Sequence, residues 1–99
     1  MTVQWTAKAL RRLGAIHDHI AADAPMRAMT FCERLIASTE HLAAHPFLGT
    51  LLPENAAYRQ LVVQGYRIVY RLARTRVYVM TIVAPGMLVT PARVSRGRR

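Results

Sequence analysis

Five arginines and four tyrosines lie within one β-rich stretch of this sequence, residues 58–83. Three of these arginines and two of the tyrosines are candidate site residues: Arg59, Tyr66, Arg67, Tyr70 and Arg71. No acidic residue follows Glu54, so the stretch has no carboxylate of its own. Guanidinium groups bind carboxylates and phosphates through paired, charge-assisted hydrogen bonds. We therefore expect the three arginines to contact an anionic partner and the two tyrosines to support them structurally by packing.

The positive charge of the chain is concentrated in its second half. The net charge is +9 over 99 residues. Residues 1–58 carry five basic and five acidic side chains, whereas residues 59–99 carry nine arginines and no acidic residue. Like charges on adjacent strands repel unless an anion compensates them, so this asymmetry predicts a polyanion or an acidic protein as partner. The alternative is that the arginines only solvate an exposed sheet face.

Three predicted β-strands position these side chains. Valine, isoleucine, leucine and tyrosine fill three short runs, and these residue types favour a pleated, half-buried surface. Gln64 and Gly65 separate the first two runs, where glycine can supply the positive φ of a tight hairpin turn. Residues 73–76 separate the second run from the third. The pattern predicts a three-stranded antiparallel meander.

Alternation along the second of these strands assigns its side chains to two faces. The face expected to pack against helices carries Tyr66, Ile68, Tyr70 and Leu72. The opposite face carries Arg67, Val69, Arg71 and Ala73. We expect Arg59 of the preceding strand to lie beside the two arginines of that face, across the hairpin.

A short strand and two helices precede the meander. Residues 2–5 alternate as a strand, and the helices are predicted over residues 7–22 and 25–44, with Thr6 as N-cap and Pro25 in the first turn of the second. The apolar stripe of the first helix is Leu10, Leu13, Ile16 and Ile20. That of the second is Ala28, Phe31, Cys32, Leu35, Thr39 and Leu42. The order β-α-α-β-β-β predicts an α+β fold, a helical hairpin packed on an antiparallel sheet.

Length and composition indicate one folded domain over residues 1–99, of which residues from about 90 onward are expected to form a mobile basic tail. Residues 87–89 could add a brief strand. A single cysteine excludes an internal disulfide, and no apolar run has the length of a membrane span. The sequence also lacks the pattern of a secretory signal, so we expect a cytoplasmic protein.

Other candidate sites have simpler structural interpretations. His41 and His45 are spaced as half of a metal site, but a third ligand is missing and both suit a helix C-terminus. Cys32 falls in an apolar stripe, as buried cysteines commonly do. The sequence has no glycine-rich phosphate loop, nucleophile elbow or pair of carboxylates. We expect no metal, no cofactor and no conventional hydrolase site.

Several short motifs occur in an order and at a spacing that can be compared with those of a known protein family. Residues 58–63 read YRQLVV and residues 66–71 read YRIVYR. They follow, in order, Trp5, Thr6, Pro25, Phe31, Pro46 and Gly49. In these features the chain resembles the ParE/RelE superfamily of bacterial toxins from type II toxin–antitoxin modules, most closely the ParE-like branch. The resemblance covers about residues 3–83 and implies the β-α-α-β-β-β fold.

The resemblance also implies a partner and a target. The partner is a cognate antitoxin, acidic and partly disordered, that folds on the toxin and neutralises it. ParE-like members are associated with inhibition of DNA gyrase and growth arrest without catalytic residues. RelE-like members cut mRNA on the ribosome, using clustered basic residues and a proton-transfer residue near the C-terminus. No tyrosine or histidine follows Tyr78 here, which favours the gyrase-binding branch over an endonuclease that would use Arg59, Arg67 and Arg71.

The end of the chain departs from this family. The last strand of the family commonly leads into a His-Arg-Arg-like stretch, whereas residues 84–86 read APG here and a basic ending follows only at residues 96–99. This difference predicts a toxin that is weakened, retargeted or inactive. A basic nucleic-acid-binding domain without toxin activity is a further alternative, which steeply salt-dependent binding to DNA or RNA would identify.

Overall fold

The computed structural model describes residues 1–87 of the chain. In chain order its elements are β1 (Thr2–Trp5), α1 (Ala7–Ala21), α2 (Pro25–Glu40), a 3-10 helix (His41–Ala43), β2 (Thr50–Leu51), β3 (Arg59–Val63), β4 (Tyr66–Leu72) and β5 (Arg76–Val83). The predicted α+β order is confirmed, with β2 added inside the predicted loop. The tail predicted from about residue 90 lies outside the described residues, and so does most of the strand predicted at residues 87–89.

The five strands form one mixed sheet in the order β1-β5-β4-β3-β2. The meander of β3, β4 and β5 is antiparallel, as predicted. β1 pairs with β5 in parallel, so the predicted antiparallel sheet has one added parallel pair at this edge. Parallel neighbours need a long crossover rather than a tight turn, and the chain between β1 and β5 supplies that connection.

Helix α1 begins at a capping threonine and packs on β5. The Ala9 amide donates to Thr6 Oγ1 over 3.1 Å, and the Thr6 amide donates to the Val79 carbonyl over 3.0 Å. The side chains that face the core are Ala9, Leu13, Ile16 and Ile20. Leu10 is 55% exposed, so its predicted place in the stripe is wrong. The bond from Thr6 to β5 turns Ala9 rather than Leu10 toward the sheet.

Helix α2 buries the stripe predicted for it. The buried side chains are Ala28, Phe31, Cys32, Leu35, Thr39 and, in the 3-10 turn that follows, Leu42. The α-helix ends at Glu40, before the predicted residue 44, because its last turn tightens into the 3-10 geometry that is frequent at helix ends. Among residues 1–87, no helix combines the length and the hydropathy that spanning a bilayer requires.

Apolar side chains pack on both sides of the sheet. On the helical side, Ile68 and Ile82 contact the stripes of both helices. On the other side, a second cluster consists of Leu52, Tyr58, Val69, Met80 and Val83. Leu52 and Tyr58 belong to the connection between α2 and β3, so this connection folds over part of the sheet. The sheet face opposite the helices is therefore only partly open to solvent.

Tyr70 attaches this connection to the sheet. Its ring is fully buried, and its hydroxyl donates to the Pro46 carbonyl over 2.9 Å. The same hydroxyl accepts a hydrogen bond from the Gly49 amide over 3.0 Å. One tyrosine thus satisfies two backbone groups of the loop and fixes the place where β2 joins β3.

Substitution by alanine is expected to have opposite effects on stability at Gly49 and at Gly14. A methyl group on Gly49 would overlap the Gln60 carbonyl and lie 2.8 Å from the Tyr70 hydroxyl. A methyl group on Gly14, an exposed position of α1, would meet no atom within 4 Å. We expect Gly49→Ala to lower the free energy of unfolding by about 1–3 kcal/mol. Gly14→Ala should raise it by about 0.5–1 kcal/mol. Urea unfolding checks both, and equal effects of the two substitutions would contradict the packing described at Gly49.

Candidate functional site

The sheet face opposite the helices, here called the outer face, carries a group of arginines. Directly opposite residues in neighbouring strands project to the same face, and Arg71 lies opposite Tyr78. Arg67 of the same strand and Arg76 of β5 share this face by alternation. Arg76 donates to the Gln4 side chain of β1 over 2.8 Å. The outer face thus presents a row of guanidinium groups across β4 and β5.

Arg71 occupies the middle of the outer face. Its guanidinium carbon lies 5.0 Å from the centroid of the Tyr78 ring, a distance typical of a cation–π contact. Its Nε is buried and has no hydrogen-bond partner within residues 1–87, as is also true of Arg59 Nε. Unpartnered buried donors are rare in proteins, because each one costs free energy that a partner would recover. Within residues 1–87 the Arg71 guanidinium has no hydrogen bond or ion pair, whereas Arg76 is bonded to Gln4, so Arg71 is the more available of the two for an added anion.

Arg67 is paired with a carboxylate, contrary to the expectation that these arginines are unopposed. Its Nη2 lies 2.8 Å from Glu54 Oε2 and its Nη1 lies 3.2 Å from Glu54 Oε1. Nη1 also donates to Gln60 over 2.9 Å. Glu54 comes from the connection between α2 and β3, which folds over this end of the face. Any anionic partner of Arg67 must therefore compete with Glu54.

The ion pair with Arg67 lowers the pKa of Glu54. The pKa of Glu54 is lowered from its ordinary value of 4.5, mainly because Arg67 donates hydrogen bonds to the carboxylate. A carboxylate with a lowered pKa in the folded state stabilises the fold above its ordinary pKa, and this contribution is lost as the pH falls through the lowered value. The pair is largely open to water, so its contribution is modest.

We expect Glu54→Gln to lower the urea midpoint of unfolding slightly at neutral pH, because Arg67 loses its charged partner. The difference from the unsubstituted chain should shrink as the pH falls below about 4.5 and Glu54 itself becomes protonated. Urea unfolding over a series of acidic pH values measures this. Glu33→Gln, at an exposed position of α2, is the control with the same change in charge. A pH-independent difference for Glu54→Gln would contradict the role of the ion pair.

Arg59 lies on the helical side of the sheet, so the expectation that it joins Arg67 and Arg71 is wrong. In the register Arg59 is opposite Tyr70, which faces the helical layer, and opposite residues share a face. Its Nη2 donates to the Gly49 carbonyl over 3.0 Å, and its guanidinium carbon lies 5.0 Å from the Phe47 ring centroid. These contacts hold the loop beside β3.

The two tyrosines lie on the helical side, where the alternation pattern placed them. Tyr70 is fully buried, and Tyr66 packs on Phe31 of α2 with 4.9 Å between the ring centroids. Neither ring reaches the outer face. If the two rings support the sheet as predicted, substitution of Tyr70 should lower the free energy of unfolding.

Three residues of the outer face were missing from the predicted site. Arg76 and Tyr78 alternate onto it from β5, and the same period of two that assigned Arg67 and Arg71 could have found them. Glu54 has no such signal, because it reaches Arg67 through a loop contact across 13 positions of the chain. The face therefore combines Arg67, Arg71, Arg76, Tyr78 and Glu54.

Two other kinds of site, a metal centre and a nucleophilic cysteine, were also considered among the described residues. Among residues 1–87, no three histidine, cysteine, aspartate or glutamate side chains are grouped as metal ligands. Cys32 is buried in α2, and this burial raises the pKa of its thiol. A raised pKa disfavours the thiolate, which is the nucleophilic form. Cys32 therefore acts as part of the apolar core.

Known proteins share both the sequence and the fold of this chain. The family described as "ParE toxin of type II toxin-antitoxin system, parDE" matches residues 3–85. "Toxin RelE2" of Caulobacter vibrioides is 37% identical over 81 residues, which are 81% of this chain and 90% of that protein. The solved structure "Chromosomal ParDE TA system from P. aeruginosa" shares the fold, with a TM-score of 0.77 at 22% identity, and the match covers 86% of this chain and 96% of that one. The chain therefore belongs to the ParE toxin family of type II toxin–antitoxin systems, within the ParE/RelE superfamily.

Proposed function

We propose that this toxin inhibits DNA gyrase by binding to it, with the outer face of the sheet as the contact surface, and that an acidic cognate antitoxin neutralises it in the cytoplasm. Membership of the ParE toxin family makes an antitoxin the expected partner. We choose gyrase binding over RNA cleavage because of the charged groups that the outer face presents. Arg67 and Arg76 share this face with Arg71, whose guanidinium has no hydrogen bond or ion pair within residues 1–87, and the Glu54 carboxylate is already bound to Arg67.

This composition suits binding better than catalysis. An arginine row can pair with carboxylates or phosphates of a partner without any proton transfer. A nuclease also needs groups that remove a proton from the attacking hydroxyl and supply one to the leaving oxygen. Glu54 holds Arg67 at 2.8 Å, and an ion-paired carboxylate with a lowered pKa is a weak base. A contact surface for a large acidic partner therefore fits these residues best.

A supercoiling assay with purified gyrase tests the proposal. We expect the purified chain to inhibit supercoiling of relaxed plasmid and the cognate antitoxin to restore it. A translation reaction probed for mRNA cleavage is run in parallel with the same protein. Inhibited supercoiling with intact mRNA is the expected result, whereas normal supercoiling at saturating toxin would overturn the proposal.

The second candidate function is mRNA cleavage on the ribosome. It is favoured by the contact between Arg71 and Tyr78, since a phenol beside a guanidinium could exchange a proton while the arginine stabilises a phosphate. One similar protein bears the name Toxin RelE2. Tyr78→Phe separates the two functions: it should abolish cleavage if Tyr78 transfers a proton, and it should leave gyrase inhibition nearly unchanged if the ring serves only to hold Arg71.

A further inference from the structure

The ion pair between Glu54 and Arg67 occupies the binding groups of one arginine of the outer face. Two guanidinium nitrogens of Arg67 face the two carboxylate oxygens of Glu54, at 2.8 and 3.2 Å. This paired geometry is the one in which an arginine commonly binds a carboxylate of another protein. Glu54 is also the last acidic residue of the chain. Glu54 therefore lies where a carboxylate of an acidic partner would bind.

The loop that carries Glu54 is anchored at its two ends and exposed between them. Leu52 and Tyr58 are buried in the second apolar cluster, and the Leu52 amide donates to the Tyr58 carbonyl over 2.9 Å. Residues 53–57 are all exposed, and among them Glu54 is the residue whose side chain bonds to a strand of the sheet. Because the two anchors do not depend on that bond, the Glu54 side chain can leave Arg67 while the loop keeps its place.

Gln60 can hold Arg67 in position when Glu54 leaves. Gln60 lies opposite Val69 in the register, on the outer face, and its side-chain oxygen accepts from Arg67 Nη1 over 2.9 Å. Arg67 Nη2 has no acceptor other than Glu54 within residues 1–87, so the departure of Glu54 frees this nitrogen. The guanidinium is thus already oriented for an incoming carboxylate, which lowers the ordering cost of binding.

The exposure of the ion pair makes the exchange inexpensive. The side chains of Arg67 and Glu54 are 21% and 36% exposed, so water already competes with their contact. An internal group that occupies a binding site reduces the apparent affinity of an external ligand by the fraction of time that the site is free. A pair that is closed about four-fifths of the time therefore raises the apparent dissociation constant about fivefold.

We propose that Glu54 is an internal competitor on the outer face, which occupies Arg67 in the free protein and is displaced by a carboxylate of the acidic surface of gyrase. The inference concerns regulation of the surface that the proposed function assigns to gyrase, and it rests on that proposal. Removal of the Glu54 carboxylate should give a more potent toxin, although it gives a slightly less stable protein. A purely structural role of Glu54 would lower both properties together.

Potency in the supercoiling assay tests the internal competitor in the full chain. We expect Glu54→Gln to inhibit gyrase at about fivefold lower concentration than the unsubstituted chain. Glu54→Asp keeps the charge but has a shorter side chain, so it should show part of this gain. Glu33→Gln, at an exposed position of α2, is the control with the same change in charge and should be nearly unchanged. The absence of a gain in Glu54→Gln, or an equal gain in Glu33→Gln, would overturn the proposal.

A double-mutant cycle assigns the gain to Arg67. In the Arg67→Gln background Glu54 has no guanidinium to occupy, so Glu54→Gln should bring no further gain in potency. Circular dichroism confirms that each variant is folded. A gain of the same size in both backgrounds would mean that Glu54 acts through long-range charge rather than through Arg67, and it would overturn the proposal.

Titration with a capped pentaglutamate peptide measures the exchange without gyrase. We expect Glu54→Gln to bind the peptide about fivefold more tightly than the unsubstituted chain, and Glu33→Gln to bind it with nearly unchanged affinity. In NMR spectra of the unsubstituted chain, the peptide should move the signal of the Glu54 carboxyl carbon toward that of exposed Glu33. Binding that leaves the Glu54 signal in place would show that Glu54 is not displaced and would overturn the proposal.

The two proposals fail separately. A gain in peptide affinity for Glu54→Gln, together with normal supercoiling at saturating toxin, would overturn gyrase as the target and leave Glu54 as a competitor for carboxylates at Arg67. Inhibited supercoiling without a gain for Glu54→Gln in either assay would overturn the internal competitor alone. A gain with the peptide but none in the inhibition of gyrase would show that Arg67 does not contact gyrase, and it would overturn the proposed regulation.

Discussion

Replacement of Tyr70 by alanine is expected to lower the free energy of unfolding by about 3–5 kcal/mol, as for other large aromatic truncations in a core. Tyr70 is fully buried and packs with Leu42 and Val77. The truncation leaves a cavity and removes the hydroxyl that bonds the Pro46 carbonyl and the Gly49 amide. A typical small domain has only about 5–15 kcal/mol of stability, so this loss threatens folding itself.

Tyr70→Phe separates the hydroxyl from the ring. The ring packing stays, while two backbone groups of the loop lose their partner, and we expect a loss of about 1–3 kcal/mol. Tyr66→Phe is the matched control, because the Tyr66 hydroxyl has no hydrogen bond within residues 1–87 and its removal should cost little. Urea unfolding followed by circular dichroism measures all three variants. Equal effects of Tyr70→Phe and Tyr66→Phe would contradict the anchoring role of the Tyr70 hydroxyl.

Reversal of charge at Arg71 is the prediction with the largest expected effect on activity. Arg71 sits in the middle of the outer face, and its guanidinium has no hydrogen bond or ion pair within the described residues. A glutamate there would repel an acidic surface of gyrase as well as remove the donor. We expect Arg71→Glu to weaken inhibition of supercoiling about 100-fold, which corresponds to about 2.7 kcal/mol of contact energy.

The Arg71 measurement needs a check on folding and a matched charge change. Arg71→Gln keeps a hydrogen-bond donor and most of the side-chain length without the charge, so it should lie between the unsubstituted chain and Arg71→Glu. Arg11→Glu on exposed α1 gives the same change in net charge and should inhibit nearly as well as the unsubstituted chain. Circular dichroism confirms that each variant is folded. A folded Arg71→Glu with undiminished inhibition would show that the outer face is not the contact surface.

The sequence by itself determined both helices, the four longer strands and most of their faces. Period-two alternation placed Tyr66 and Tyr70 toward the helices and Arg67 and Arg71 away from them, and the register confirms this. The stripe of α2 from Ala28 to Leu42 is buried as predicted. These features depend on spacing within one element, where 3.6 residues per helical turn or two per strand repeat fix the direction of each side chain.

Tertiary structure alone decided which charged groups share a surface. Arg59 is the exception, because the predicted two-residue turn at residues 64–65 by itself sets Arg59 opposite Tyr70, and so on the helical side. Glu54 reached Arg67 because the loop folds back over the sheet, held by Tyr70 and Gly49. β1 joined the sheet by pairing in parallel with β5, the last strand that the structure describes. The outcomes for Glu54 and β1 depend on contacts between residues far apart in the chain, which local periodicity does not encode.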